Sequence, residues 1–293
     1  MNIVRITSGL GNQLFQYAFY KALKTKQPNT KMDISEFKYR KHHYGFELEK
    51  IFQITPDYAS KEECNDLADV SKDWVSEFRR KYLHLLLSAH GKLIKEDAIG
   101  TSFHPELLSL QNAYFWGYWQ TEKYFSDIAE LLHNELVFNK LSDTKNLQTA
   151  ELIENHESVS IHIRRGDYVK KRRFEICGSI CSSDYYKQAT ELILARVDNP
   201  YFFIFSDDLE WAKSNISLPN AYFIDNNRGV DSYKDMQLMS MCKHNIIANS
   251  SFSWWGAWLG QHDKKIVIAP SIWFRNDPLP DIVPNNWIRI SVE

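Results

Sequence analysis

Three short segments of this sequence carry side chains suited to holding a phosphorylated ligand. The first is Gly9-Leu10-Gly11-Asn12-Gln13. Glycines let a backbone come close to a ligand, and the first turn of a helix offers unpaired N–H groups to an anion. Asn12 and Gln13 add two amides that can address a ligand's hydroxyls. Leu14 stands where the dinucleotide fingerprint G-x-G-x-x-G needs its third glycine, so a nicotinamide enzyme is disfavoured. For the glycines alone, a plain tight turn between strand and helix is an equal reading.

The second segment is Ile161-His162-Ile163-Arg164-Arg165-Gly166-Asp167-Tyr168. Strand side chains alternate with period two. Val159, Ile161 and Ile163 then share a buried face, while Ser160, His162 and Arg164 share the other, with Arg164 at the strand end. A guanidinium is permanently charged and grips phosphate oxygens with two donors, which suits a nucleotide diphosphate leaving group. For Arg165 and Asp167 a surface ion pair is the plainer role. The third segment is Asn249-Ser250-Ser251-Phe252-Ser253-Trp254-Trp255-Gly256. Hydroxyls and backbone N–H groups opening a helix form an anion nest. Trp254 and Trp255 read as buried anchors. Phe205-Ser206-Asp207-Asp208 ends another strand and reads as a helix cap. Asp225 ends a further one, where it can accept bonds from a base or ribose.

Three patterns are missing. Nothing matches Asp-x-Asp, the metal-holding motif of many glycosyltransferases, so no metal is expected. Neither a Walker sequence nor a G-x-S-x-G elbow occurs, which disfavours a P-loop ATPase and an α/β hydrolase. Cys64, Cys177, Cys181 and Cys242 form no paired zinc knuckle and read as free thiols.

These segments need elements to position them. Residues 3–6 read as a strand, and from Gln13 the apolar positions Leu14, Phe15, Ala18, Phe19, Ala22 and Leu23 recur with helical spacing. Residues 33–150 read as mostly helical, with helices over 78–87 and, behind Thr121, over 124–136. From 158 the pattern alternates: strands 158–163, 201–205, 221–224, 245–248 and 265–269, with helices 184–197, 207–214, 231–242 and 252–259 between them. Asp184 is the expected cap of the first of these helices. Such alternation predicts an α/β fold with a parallel sheet and right-handed crossovers. The change of rhythm places a domain boundary near 150, giving domains 1–150 and 151–293.

With 293 residues the chain has room for two domains. A net charge of −2 gives no basic field, so nucleic-acid binding is not expected. The opening MNIVRITSGLG has no basic stretch leading into an apolar one, and the longest apolar runs fall far short of the ~20 residues that cross a bilayer. A cytoplasmic enzyme without a transmembrane segment is expected. Loose peripheral association with the inner membrane, at a lipid-linked acceptor, is compatible with that expectation.

Five segments, in order, resemble the bacterial α-1,2-fucosyltransferases of glycosyltransferase family eleven: GLGNQLFQYA (9–18), GYWQTEKYF (117–125), HIRRGDY (162–168), FSDDLEW (205–211) and NSSFSWWGAWL (249–259). The resemblance implies a GT-B-like architecture of two Rossmann-like domains facing across a cleft. The N-terminal domain would lie on the acceptor side and the C-terminal one would bind the donor. It further implies GDP-β-L-fucose as donor, a galactose-terminated glycan as acceptor, and an α-1,2 linkage made with inversion and without metal or other cofactor. By resemblance Arg164 binds the diphosphate beside His162. Ser250, Ser251, Phe252 and Ser253 approach the phosphates, and Gly11 and Asn12 meet the donor. The basic run Lys170-Lys171-Arg172-Arg173, ahead of Cys177-Gly178-Ser179-Ile180-Cys181, departs from the family pattern and bears on the acceptor. Asp167, His162, Glu175 and Asp33 are all candidates for the base. A related transferase using another nucleotide sugar and a non-catalytic sugar- or nucleotide-binding module are the alternatives.

Overall fold

The computed structural model describes residues 1–39, 44–68, 92–96, 102–166, 168, 175–275 and 281–292. The chain divides into two compact units, Met1–Leu136 and Val137–Glu293.

The first unit has a four-stranded sheet: β1 (Asn2–Arg5), β2 (Thr30–Asp33), β3 (Lys92–Lys95) and β4 (Ala113–Trp116), in the order β2-β1-β4-β3. Every pairing is parallel. Helix α1 (Leu10–Lys26) joins β1 to β2 and buries Leu14, Phe15, Ala18, Phe19, Ala22 and Leu23, the expected face. It begins earlier than its apolar spacing indicates, so Gly11 lies within its first turn. Short helices follow: α2 (Glu36–Tyr39), α3 (Leu48–Ile51), α4 (Lys61–Ala68) and α5 (Ala129–Glu135). Three strands, β2, β3 and β4, run within or beside the stretch expected to be helical. β4 is Ala-Tyr-Phe-Trp with its first three residues buried. A parallel strand covered on both faces shows no alternation, so its pattern does not separate it from a buried helix. The helix expected over 78–87 lies outside the described residues. The one expected over 124–136 is two 3₁₀ turns followed by α5, with Thr121 capping the first through the N–H of Lys123.

The second unit holds β5 (Glu157–Ile163), β6 (Pro200–Ser206), β7 (Ala221–Ile224), β8 (His244–Ile246), β9 (Val267–Pro270) and β10 (Ile288–Ile290). They pair in parallel in the order β10-β9-β8-β5-β6-β7. Counted within the unit from β7, that is 3-2-1-4-5-6, the order of doubly wound nucleotide-binding sheets. Its described helices include α6 (Thr144–Asn155), α7 (Ser183–Leu194), α8 (Leu209–Asn215), α9 (Tyr233–Met241) and α10 (Ser251–Leu259).

Both faces of this sheet are covered. On one, Val159, Ile161 and Ile163 of β5 pack with Tyr185, Tyr186, Ala189 and Ile193 of α7. On the other, Phe203 and Phe205 of β6 pack with Ala150 and Ile153 of α6 and Leu238 and Met239 of α9. Burying such a side chain fully stabilises the fold by ~1.5–3 kcal/mol relative to exposure. Residue 150 therefore lies inside a helix of the second core, and the division falls before α6 rather than within it. Ser182, not Asp184, caps α7, accepting from the N–H of Tyr185.

Candidate active site

The second sheet reverses direction between β5 and β8, its first and fourth strands. Ligands of open α/β sheets bind beyond the strand carboxyl ends at such a switch point. The HIRRG and NSSFS segments are the two loops that flank it. β5 pairs Ile161 with Ile246 on one side and with Ile204 on the other. Three residues further along these registers, Arg164 is level with Asn249 and with Asp207. The sequence separates the segments by more than eighty residues, and only the strand order brings them together.

Arg164 follows the last residue of β5. Its Nη1 stands 3.0 Å from Oδ2 of Asp207, in a pair about a quarter exposed. Arg165 turns instead to Asp208, at 3.2 Å, and lies over the Trp211 ring at 4.4 Å. The sequence offered Asp167 as its partner; that residue lies outside the described residues, as do Lys170–Arg173 of the basic run. Oδ1 of Asp207 accepts the backbone N–H groups of Arg165 (2.8 Å) and Gly166 (3.0 Å). Asp208 is the helix cap that the sequence suggested, accepting from the N–H of Trp211.

His162 is buried, 5.8 Å from the Phe252 ring, and its Nδ1 has no hydrogen-bond partner among the described residues. Burial pushes the imidazole down to about 4, against the nearby Asp207 charge and with that of Arg164. At neutral pH the ring is therefore uncharged. An uncharged imidazole can donate or accept a hydrogen bond but supplies no counter-charge.

Helix α10 opens without a side-chain cap: Ser250 stands at the cap position in extended backbone and makes no capping bond. The N–H groups of its first turn thus have no intrahelical acceptor. Ser251 and Phe252 are half-buried there, and the Ser253 hydroxyl donates to the carbonyl of Ser250 at 3.3 Å. Trp254 and Trp255 are fully buried, and the Trp254 indole donates to Ile282 O at 2.7 Å, so both are anchors. Asn249 is an anchor too. Its amide donates to the carbonyls of Cys177 and Trp273, both at 3.1 Å, and its Oδ1 receives the Cys181 thiol. The cysteines are free thiols.

At the end of β7, Asp225 is exposed. The residues after it form a network that the sequence did not reveal. Asn227 Nδ2 donates to Asp235 Oδ1 at 2.8 Å and to Asn146 Oδ1 at 2.9 Å, while Asn146 returns a bond to Asn227 Oδ1 at 2.8 Å. Desolvation raises Asp235 to about 7, although Asn227 and Arg228 oppose the shift. Paired asparagines after a strand were the available signal.

In the first unit the loops after β1 and β4, its two central strands, are joined. Gln120 Nε2 donates to Asn12 Oδ1 at 2.7 Å, and Gln16 bridges the N–H of Thr7 to the carbonyl of Gly117. Asn12 is half-buried and Gly11 buried. Gln13, read as an amide for ligand hydroxyls, is fully buried and spent on structure. It donates to Ser8 O and Gly45 O and accepts from the N–H of Glu47. Asp33 is likewise engaged, by the Tyr114 hydroxyl at 2.5 Å and the N–H of Ser35, and is poorly placed to take a substrate proton. Glu175 is exposed.

The segments that carry this chemistry match a known family. A model of glycosyl transferase family 11 covers residues 97–291. The chain belongs to glycosyl transferase family 11. An α-1,2-colitosyltransferase of Escherichia coli is 34% identical over 98% of this chain and 98% of its own length. The O-antigen biosynthesis glycosyltransferase WbnK, also of Escherichia coli, is 31% identical over 97% of this chain and 99% of its own. Human galactoside α-(1,2)-fucosyltransferase 1 is 31% identical over 42% of this chain and 32% of its own. A family 11 member is a glycosyltransferase, with a sugar donor and a glycan acceptor. No described helix is long and apolar enough to cross a membrane, and no group of three or more metal-ligating side chains gathers among the described residues.

Proposed function

We propose that this family 11 enzyme transfers L-fucose from GDP-β-L-fucose to the 2-hydroxyl of a terminal galactose, inverting the sugar and using no metal. One observation carries the reading: a guanidinium, Arg164, and an uncapped helix N-terminus, α10, flank one topological switch point. Both are donors suited to a diphosphate. In the transfer, the bond from fucose C1 to the β-phosphate oxygen breaks, and GDP leaves with the electron pair. The galactose O2 bonds to C1 from the opposite face and gives up its proton. Charge grows on the β-phosphate as the bond breaks. Arg164 and the first-turn N–H groups of α10, beside Ser250, Ser251, Phe252 and Ser253, meet that charge in the role a cation plays elsewhere. His162, uncharged, adds a hydrogen bond. Asp225, exposed beyond β7, is available to the base or ribose. Asp167, three residues after Arg164 in the sequence, is a candidate for the base, as are His162 and Glu175.

Support for fucose and for the 1,2 linkage comes from the partial similarity to human galactoside α-(1,2)-fucosyltransferase 1. A second reading has its own support: the colitosyltransferase similarity spans nearly the whole chain, which favours a colitosyl donor with the same linkage. Competition between GDP-fucose and GDP-colitose, followed by nuclear magnetic resonance of the product, separates the two. The fucosyl reading expects the larger kcat/KM with GDP-fucose and an α-1,2 linkage to galactose. A preference for GDP-colitose overturns it.

A further inference from the structure

The two consecutive arginines after β5 are matched by two consecutive aspartates after β6, and the aspartates differ in what they hold. Asp208 pairs with Arg165 and caps α8. Asp207 caps nothing. Its Oδ1 takes two backbone N–H groups, from Arg165 and Gly166, while its Oδ2 stands 3.0 Å from Nη1 of Arg164. One carboxylate thus fixes both the backbone leaving β5 and one arm of the guanidinium. Gly166 leaves room for it: a Cβ there would lie 2.7 Å from Oδ2, closer than side chains approach.

We propose that Asp207 is a positioning residue for the transfer, presenting Arg164 to the leaving phosphate. The inference rests on the reading that Arg164 meets the donor diphosphate. Asp207 has two opposed effects on such a ligand. Its negative charge repels a diphosphate in the ground state. Its grip on Nη1 holds the guanidinium fork where charge appears as the bond breaks, and misalignment of about 1 Å there can cost ~100-fold in rate. Losing the charge while keeping the loop should therefore separate binding from turnover.

Asp207→Asn makes that separation. Asparagine keeps an oxygen for the two N–H groups and replaces Oδ2 with an N–H that cannot pair with Arg164. GDP affinity, by calorimetry, should be unchanged or up to ~10-fold tighter, while kcat falls ~10–100-fold at an unchanged melting temperature. Gly166→Ala, which displaces Oδ2, should reproduce the loss of kcat. Arg164→Ala is measured beside them. If it loses GDP affinity and turnover while Asp207→Asn works at the normal rate, the positioning role is wrong and the Arg164 reading stands. Loss of affinity and kcat in equal proportion in Asp207→Asn, with a lowered melting temperature, also overturns it, because the carboxylate then only holds the fold. If Arg164→Ala keeps normal affinity and rate, the underlying reading fails instead.

Discussion

The Tyr168 hydroxyl donates to the carbonyl of Asn249 at 2.9 Å, tying the loop after β5 to the loop after β8. Its ring also lies 5.6 Å from the Arg164 guanidinium. The two sides of the switch point are thus joined by a side chain as well as by the sheet. Tyr168→Phe removes the bond and keeps the ring. A net hydrogen bond is worth ~0.5–1.5 kcal/mol, so the donor KM should rise ~2–10-fold, with little change in melting temperature. An unchanged KM means that the tie does not shape the site.

Arg164→Ala should lower kcat/KM by ~10²–10³, as removal of a charge-stabilising donor does. Arg164→Lys should stay badly impaired, because an ammonium cannot reproduce the planar two-donor fork. Arg165→Ala should lose less activity and show its effect in melting temperature, since Arg165 is held by Asp208 and Trp211. Circular dichroism establishes that each variant is folded before rates are compared. Near-normal turnover by a folded Arg164→Ala enzyme contradicts the assignment.

Much of the second unit was legible in the sequence. Val159, Ile161 and Ile163 did mark a buried strand face, and Arg164 does follow that strand's end. The partners of Arg164 and Arg165 were not legible. They come from the neighbouring strand through the β5–β6 register, which a local pattern does not encode. Gln13 misled for a related reason. An amide beside glycines looks free for a ligand, but its acceptors, Ser8 O and Gly45 O, were defined only once the chain had folded. The strands β2, β3 and β4 escaped because each is four residues long and parallel, too short for a period to show.

Asp235 sets a pH dependence of stability. Its pKa in the fold is raised to about 7, above the ~4 of an unfolded chain, so the folded state holds the proton more tightly. The stabilisation is full below pH ~4 and is lost as pH rises through about 7. Asp235→Asn keeps an acceptor for Asn227 and removes the titration. The fall in melting temperature between pH 5 and pH 8.5 should then be smaller than in the wild type. His162 acts in the opposite sense: its pKa is lowered to about 4, so its contribution is lost as pH falls from ~6.5 toward 4. An equal fall in both proteins between pH 5 and pH 8.5 rules out the Asp235 assignment.

Chelation tests how the leaving group's charge is met. If Arg164 and the α10 N–H groups carry it, turnover should survive EDTA with at most modest loss. Abolished turnover that Mg²⁺ or Mn²⁺ restores means that a cation does this work.

The proposed reaction is transfer of fucose from GDP-β-L-fucose with an α-1,2 linkage. The most direct measurement incubates the purified chain with GDP-fucose and a β-galactoside such as lactose, and assigns the product linkage by nuclear magnetic resonance. The expected product carries an α-fucosyl group on the galactose 2-hydroxyl, formed at a rate that GDP inhibits and UDP does not. A folded enzyme that leaves GDP-fucose untouched, or joins the fucose to another hydroxyl, contradicts it.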